Sequence, residues 1–324
     1  MPARTTAETL VTVYGGSGFI GRHVVRALAR RGYRIRVAVR RPELTNYLQP
    51  LGKVGQINAV QTNIRHAPSV EAASRDAHVL VNLVGVLKER GRQRFDTVHA
   101  FGAEQVALAA SAYGAGMVHV SALGADEQST SRYARSKGAA ERLVLAAQPQ
   151  AVIMRPSVVF GPEDDFFNRF AALARISPVL PIIGGGETRF QPVFVGDVAE
   201  AIAQAVDGNA RAGTTYELGG PEVRSFKQLM QFVLATIERK RLLLPLPFFA
   251  AKIEAMLLQF APAPLTLTGD QVELLRTDNV VSEAANANGR TLAAFGVDPE
   301  PIASIVPSYL WRFRRTGQFQ KRPA

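Results

Sequence analysis

The 324-residue sequence contains no cysteine. That absence excludes a disulfide framework, a thiolate metal site and a cysteine nucleophile, and it suits a reducing compartment. No uninterrupted apolar run approaches the ~20 residues that a spanning helix needs. The opening "MPARTTAETL" lacks the apolar core of a secretory signal and leads almost directly into a strand-like segment. Neither a secretory signal nor a long transit peptide is therefore expected. Internal repeats and low-complexity tracts are missing, and so is any recognised nucleic-acid-binding module. Acid is the scarcer charge: 27 Asp and Glu stand against 38 Lys and Arg, a net +11. Such an excess attracts nucleic acid, an anionic membrane surface or phosphorylated ligands; a solvated basic surface is the plain alternative. Without a module to receive it, nucleic acid is not an expected partner.

What is present is an ordinary globular composition, 47% apolar and 20% charged, with length for one or two domains. The segment "TLVTVYGGSGFIGRHVVRALARRGYRIRVAVRRPE" is the most legible. An apolar run around Val11 and Val13 suits a buried parallel strand. It ends in a glycine-rich turn, after which Ile20, Val24, Ala27 and Leu28 fall at helical spacing. Gly32 closes that helix and "YRIRVAVR" follows as a second strand, a βαβ unit. The alternation continues through strands at "QINAVQTNI", "AHVLVNLVG", "MVHVSAL" and "AVIMRPSVV" and helices at "SVEAASRD", 94–113 and 132–146. Strands alternating with helices predict an α/β fold, a Rossmann-type doubly wound parallel sheet with right-handed crossovers. After about residue 160 prolines and glycines become frequent. The expected division is a nucleotide-binding domain over 1–160, with elements returning from about 186–220, and a smaller lobe over 161–324 that ends in a basic, apolar tail.

Gly15, Gly18 and Gly21 are spaced G-x-x-G-x-x-G between the first strand and first helix. In that context Gly15 permits a tight turn, Gly18 lets backbone approach a pyrophosphate, and Gly21 lets the helix pack closely. Gly15, Ser17, Gly18, Phe19 and Ile20 then place an anion on the N–H groups of the helix start. An acid at the end of the second strand would favour a free ribose 2′-hydroxyl. Arg40 and Arg41 stand there instead, with no acid before Glu43. A guanidinium pair suits a 2′-phosphate, so NADP(H) is the expected cofactor; a plain surface role is the alternative. Arg22 lies close by in sequence. Asn63 and Ile64 follow the third strand, where the adenine would lie, and Leu83, Val84 and Gly85 end the fourth. No metal site is expected.

Tyr133 and Lys137 in "SRYARSK" are one helical turn apart and share a face. A tyrosine titrating near 10 needs a neighbouring ammonium to act as a proton carrier near neutral pH. The glycine turn, Ser121 at the end of the fifth strand, "YARSK", "RPSVVFGP" and "RFQPVFVGDVAEAI" together resemble the extended short-chain dehydrogenase/reductase superfamily over about residues 10–220. The resemblance implies that Ser121 polarises a substrate oxygen and that Tyr133 carries the proton. It implies that Lys137 lowers the tyrosine's pKa and holds the ribose, and that Arg155, Pro156, Ser157 and Val158 lie beside the nicotinamide.

The later stretches "GTTYELGGPEVRSFKQLM" and "RKRLLLPLPFFAAKIEAMLLQFAPAPLTLTGDQVELLRTDNVVS" resemble one atypical branch. That branch is the nucleotide-binding accessory-subunit family of respiratory complex I, the alpha-subcomplex subunit nine family. It implies a tightly held NADPH with a structural role. It also implies complex I peripheral-arm subunits as partners, and a peripheral position on the cytoplasmic face of the inner membrane, or the matrix side in mitochondria. The tail agrees. "LLLPLPFFAAKIEAMLLQF" is apolar but broken by Pro245 and Pro247 and charged at Lys252 and Glu254. Arg239, Lys240 and Arg241 flank it, and Arg312, Arg314, Arg315, Lys321 and Arg322 follow with Trp311 and Phe313. Such a surface suits anionic headgroups or a partner subunit; an ordinary helix packed on the lobe is the alternative. Only eleven residues separate Ser121 from Tyr133, a short connection that leaves little space for substrate. Two readings stay open: an NADP(H)-holding accessory subunit, or a free NADP-dependent reductase or nucleotide-sugar epimerase-like enzyme using Ser121, Tyr133 and Lys137.

Overall fold

The apolar run around Val11 becomes β1 (Leu10–Tyr14), buried along its whole length, as a central strand covered on both faces requires. The structure, a computed structural model, describes residues 5–258 and 268–316, the side chains of 256–258 apart. After β1 the first unit runs through α1 (Phe19–Arg30), β2 (Arg34–Val39), β3 (Ile57–Gln61), α2 (Ala67–Ser74), β4 (Val79–Asn82), α3 (Phe101–Ala112) and β5 (Gly116–Val120). It continues with α4 (Arg132–Ala147), β6 (Val152–Pro156), α5 (Val195–Val206) and β7 (Thr215–Leu218). All seven strands are parallel, in the order β7-β6-β5-β4-β1-β2-β3. The chain leaves β1 toward β2 and β3 on one side and resumes with β4 on the other. The strand order therefore reverses between β1 and β4, where such sheets open a crevice at their C-terminal ends. Tyr14, Leu80, Met117 and Ile153 carry the core that joins the sheet to α2, α3 and α4.

The first unit holds residues 5–156, 195–218 and 282–298; the second holds 157–194, 219–281 and 299–316. The stretch 282–298, assigned to the lobe from sequence, belongs to the sheet-bearing unit. There Phe295 packs on Tyr216 of β7, ring centres 4.7 Å apart. The return at 195–218 is fastened by Arg31 at the end of α1, which pairs with Glu200 and, at 2.8 Å, with Asp207. The Tyr33 hydroxyl also donates to Asp207 at 2.7 Å.

In the second unit, helices Phe167–Ile176 and Phe226–Thr236 enclose a phenylalanine-rich core. Phe166 meets Phe167 and Phe170 edge-on at 5.2 and 5.3 Å. The buried Asp164 carboxylate accepts from the Tyr309 hydroxyl at 2.5 Å and the Gly161 N–H at 3.2 Å. The proline-broken apolar segment is not one helix. Leu242–Leu246 is a strand, parallel to Val179–Ile183, and the helix Phe248–Leu258 follows it. Among the described residues no helix is long and apolar enough to cross a membrane. Gln259 to Leu267 of that segment, and Lys321 and Arg322, lie outside the described residues.

Candidate functional site

A cleft of ≈ 220 Å³ opens in the first unit, lined among others by Gly15, Ser17, Gly18, Arg40, Asn63, Ile64, Leu83, Val84 and Gly85. Gly15 sits at φ +78°, a left-handed conformation that costs glycine nothing. Its N–H donates to Ala38 C=O at 3.1 Å, and its own C=O accepts from Gly18 N–H at 2.9 Å. A Cβ on Gly21 would lie 2.3 Å from the Gly15 oxygen and 2.6 Å from Gly16 Cα, so only glycine lets α1 press onto the turn. Gly18 is the N-cap of α1 and brings no side chain to its first N–H groups. Phe19 and Ile20 begin that helix, half-buried. Tyr47, unremarked from sequence, fastens the turn from outside. Its hydroxyl donates to Ser17 C=O at 2.6 Å, and the Arg22 guanidinium lies 5.1 Å from its ring centre.

Arg40 is exposed at the end of β2 and lines the cleft. Arg41, equally exposed, stands outside the lining as N-cap of the short turn Pro42–Leu44. The second cleft guanidinium is Arg65, which donates to Arg92 C=O at 2.9 Å. Thr62, also on the lining, buries its hydroxyl without a hydrogen-bond partner, and so does Ser121 at the end of β5. Buried hydroxyls are normally satisfied. These two, with the glycine turn and Arg40, fit a bound dinucleotide that supplies the missing polar atoms.

Ser131 caps α4, its hydroxyl accepting from Ala134 N–H at 3.2 Å. That helix carries Tyr133 half-buried and Lys137 only 4% exposed. The Lys137 ammonium donates to Val120 C=O at 3.1 Å. Burial pulls its pKa down to about 8, against the opposing field of Glu141. A Cβ on Gly85 would lie 3.5 Å from Lys137 Nζ, so the ammonium abuts the cleft wall. The loop joining Ser121 to Tyr133 is pressed onto α4 at Gly138, where a Cβ would meet Glu127 N at 2.6 Å.

The loop expected beside the nicotinamide is held by bonds within the protein. Arg155 grips Glu141 two-handed at 2.9 and 2.5 Å and reaches Glu217 at 3.8 Å. Its hydrogen bonds to Glu141 hold its pKa above the usual value. Pro156 gives its C=O to Leu123 N–H at 3.0 Å. Ser157 and Val158 open the second unit, where Asn279 Oδ1 accepts from the Ser157 hydroxyl at 2.7 Å and from Val158 N–H at 3.0 Å. Asn279 lies in "LLRTDNV", so that stretch latches the loop.

Two buried histidines were missed. His119 on β5 has its Nδ1 3.2 Å from Asn82 Nδ2. Burial and the nearby Lys137 push its pKa down to about 3. His99, in the π-helical turn Asp96–Ala100 before α3, is held down at about 2, chiefly by burial. A histidine inside an otherwise apolar strand was the available signal for His119.

Compared with known proteins, residues 11–219 match the NAD dependent epimerase/dehydratase family. The chain is 35% identical to NADH dehydrogenase [ubiquinone] 1 alpha subcomplex subunit 9, mitochondrial, of Arabidopsis thaliana, over 95% of this chain and 79% of that protein. It is 37% identical to the ceramide reductase of Caulobacter vibrioides over 60% of each. A crystal structure of the NADPH-dependent quinone oxidoreductase of Escherichia coli with NADPH superimposes with a TM-score of 0.72 at 18% identity, over 93% of this chain and 99% of that one. That last likeness speaks for the fold.

Proposed function

The chain belongs to the NAD dependent epimerase/dehydratase family, and we propose that it is the NADP(H)-holding accessory subunit of the respiratory NADH:quinone oxidoreductase, complex I. One observation carries the reading: similarity to the Arabidopsis subunit runs over 95% of the chain, far past the 11–219 that the family shares. Gly15, Ser17 and Gly18 would hold the pyrophosphate, and Arg40 with Arg65 the 2′-phosphate. Asn63, Ile64, Leu83, Val84 and Gly85 would line the adenosine and ribose, with Arg41 near the phosphate. Bound, the cofactor supplies hydride chemistry. The chain's own part at that end is to place the Lys137 ammonium and the Ser121 and Tyr133 hydroxyls around it.

Peripheral membrane contact is supported by the second unit. Leu242 and Phe249 are 63% and 70% exposed. Near them in sequence, Arg239 lies close enough to Arg241, Arg315 and Arg175 for their charges to depress its pKa, after desolvation. Apolar side chains beside clustered guanidinium groups suit an anionic headgroup layer. The position would be the cytoplasmic face of the inner membrane, corresponding to the matrix side in mitochondria. The test is affinity purification of the tagged chain from its native membranes. Stoichiometric recovery with the peripheral-arm subunits, NADPH still bound by native mass spectrometry, is expected; a wholly soluble monomeric pool would sink the reading.

The second reading is a free NADP-dependent reductase, favoured by the ceramide reductase likeness and by Ser121, Tyr133 and Lys137 together. Carbonyl-dependent NADPH oxidation abolished in Tyr133→Phe would establish it, and a rate unchanged in that variant would exclude it.

A further inference from the structure

His99 is fully buried and uses both ring nitrogens. Nε2 accepts from Val86 N–H at 2.9 Å, so the ring proton sits on Nδ1. Nδ1 lies 2.9 Å from the Ser136 hydroxyl, which donates its own proton to Tyr133 C=O at 2.7 Å. The directions follow from the network: the serine proton is committed to a carbonyl, so the serine oxygen must accept from the imidazole. Phe95 stacks on the ring at 5.4 Å and Tyr133 meets it edge-on at 5.5 Å. A Cβ on Gly85 would lie 3.7 Å from His99 Nε2. Val86 and Gly85 both line the cleft.

We propose that His99 is a positioning residue: one neutral imidazole sets the spacing between the cleft wall at Gly85–Val86 and the helix start that carries Tyr133 and Lys137. The His99 ring is hydrogen-bonded to both Val86 and Ser136. The arrangement needs an acceptor and a donor at a fixed separation, which a neutral imidazole provides rigidly. An imidazolium, with two donors, would lose the Val86 bond. The half of the cleft nearest the Tyr–Lys pair would then drift relative to the phosphate turn. The inference rests on the nucleotide reading given above.

The experiment compares two ligands. NADPH fills the whole cleft; adenosine 2′,5′-bisphosphate carries the 2′-phosphate end alone. In the full-length chain, His99→Phe keeps the ring stack and removes both hydrogen bonds. It is expected to weaken NADPH binding about tenfold, leave the bisphosphate within about twofold, and shift the fluorescence of bound NADPH. His99→Gln, whose amide oxygen accepts while its nitrogen donates, should recover most of the loss. Should His99→Phe fold poorly, Ser136→Ala removes one side of the bridge and should show the same split more weakly. Equal weakening of both ligands, or of neither, overturns the assignment. If the unaltered chain binds the bisphosphate but not NADPH, the nicotinamide end is wrong and this proposal falls with it; if it binds neither, the nucleotide reading itself has failed.

Discussion

The two ends of the cleft are built on opposite principles. At the glycine-turn end, proposed to take the phosphates, charge lies nearer solvent: Arg40 is exposed and Arg65 half-buried on a single backbone bond to Arg92, and the turn offers backbone N–H groups and bare glycine. At the Tyr–Lys end, charge is buried and interlocked. Lys137 bonds Val120, Glu141 is taken by Arg155, and His99 bridges Val86 to Ser136. The exposed end can exchange water for phosphate at little cost to the fold, so it suits affinity. The buried end carries desolvation penalties in the folded chain whether or not a ligand is present. A group kept at such cost is held for position, and position serves firm retention of a nucleotide as well as it serves proton transfer.

The comparison breaks most severely at the phosphate turn. Gly21→Val forces a side chain onto backbone atoms at 2.3 and 2.6 Å, which cannot give way as a flexible side chain would. NADPH binding should fall by more than a hundredfold, about 3 kcal/mol or more, in a fluorescence titration. Binding within threefold of the unaltered protein would disprove the turn's role.

Acid should dismantle the buried end next. His99 and His119 titrate at about 2 and about 3 in the folded chain, against 6.5 when exposed, since burial and then the Lys137 field disfavour the imidazolium. As pH falls past 6.5 the unfolded chain takes up protons that the folded chain refuses. Their stabilisation is thus complete above 6.5 and drains away toward 3. By pH 4.5 each histidine should have surrendered about 2–3 kcal/mol. A melting temperature that fell no further between pH 7 and 4.5 in the unaltered chain than in His99→Phe would remove that histidine's share of the effect.

Lys137→Met separates stability from binding. The folded lysine titrates at about 8 against 10.5, a depressed base, so its penalty is full below pH 8 and is relieved as pH climbs toward 10.5. Near pH 7 it amounts to about 3 kcal/mol, less the bond to Val120. The methionine variant, free of ligand, should melt a few degrees higher yet bind NADPH at least tenfold more weakly. A lower melting temperature would show that the ammonium stabilises the empty fold.

How far each end was legible from sequence follows from the same contrast. The glycine turn is a matter of local backbone geometry, so the spacing of Gly15, Gly18 and Gly21 was enough to foresee a tight strand-to-helix turn, and the parallel sheet followed from strand–helix alternation. Arg65 escaped notice although Asn63 and Ile64 beside it were named, because no spacing in the sequence shows which side chain after β3 turns to the cleft. His99 acts on Ser136 and His119 on Asn82, each 37 residues away, a juxtaposition no short-range pattern encodes. Arg155 was readable as a motif position, but which acid would claim its guanidinium depended on Glu141 of α4. The return of 282–298 was hidden because a five-residue helix, Glu283–Ala287, and one 3₁₀ turn span too few turns to show a periodicity.

The gentlest test is at the exposed end. Arg40 is solvent-facing and takes no acidic partner among the described residues, so Arg40→Ser should leave the melting temperature of the ligand-free chain within a degree. Its effect belongs to the ligand. A guanidinium on a 2′-phosphate contributes charge-assisted hydrogen bonds that a free 2′-hydroxyl cannot receive in kind. NADPH affinity should therefore drop about tenfold, about 1.4 kcal/mol, while NADH affinity stays level or improves slightly. Arg65→Ser should repeat the pattern if both guanidiniums reach the phosphate, and the double variant should bind the two cofactors alike. Equal loss of NADPH and NADH would instead make the arginine a general phosphate contact, and the choice between the two nucleotides would have to be made elsewhere in the cleft.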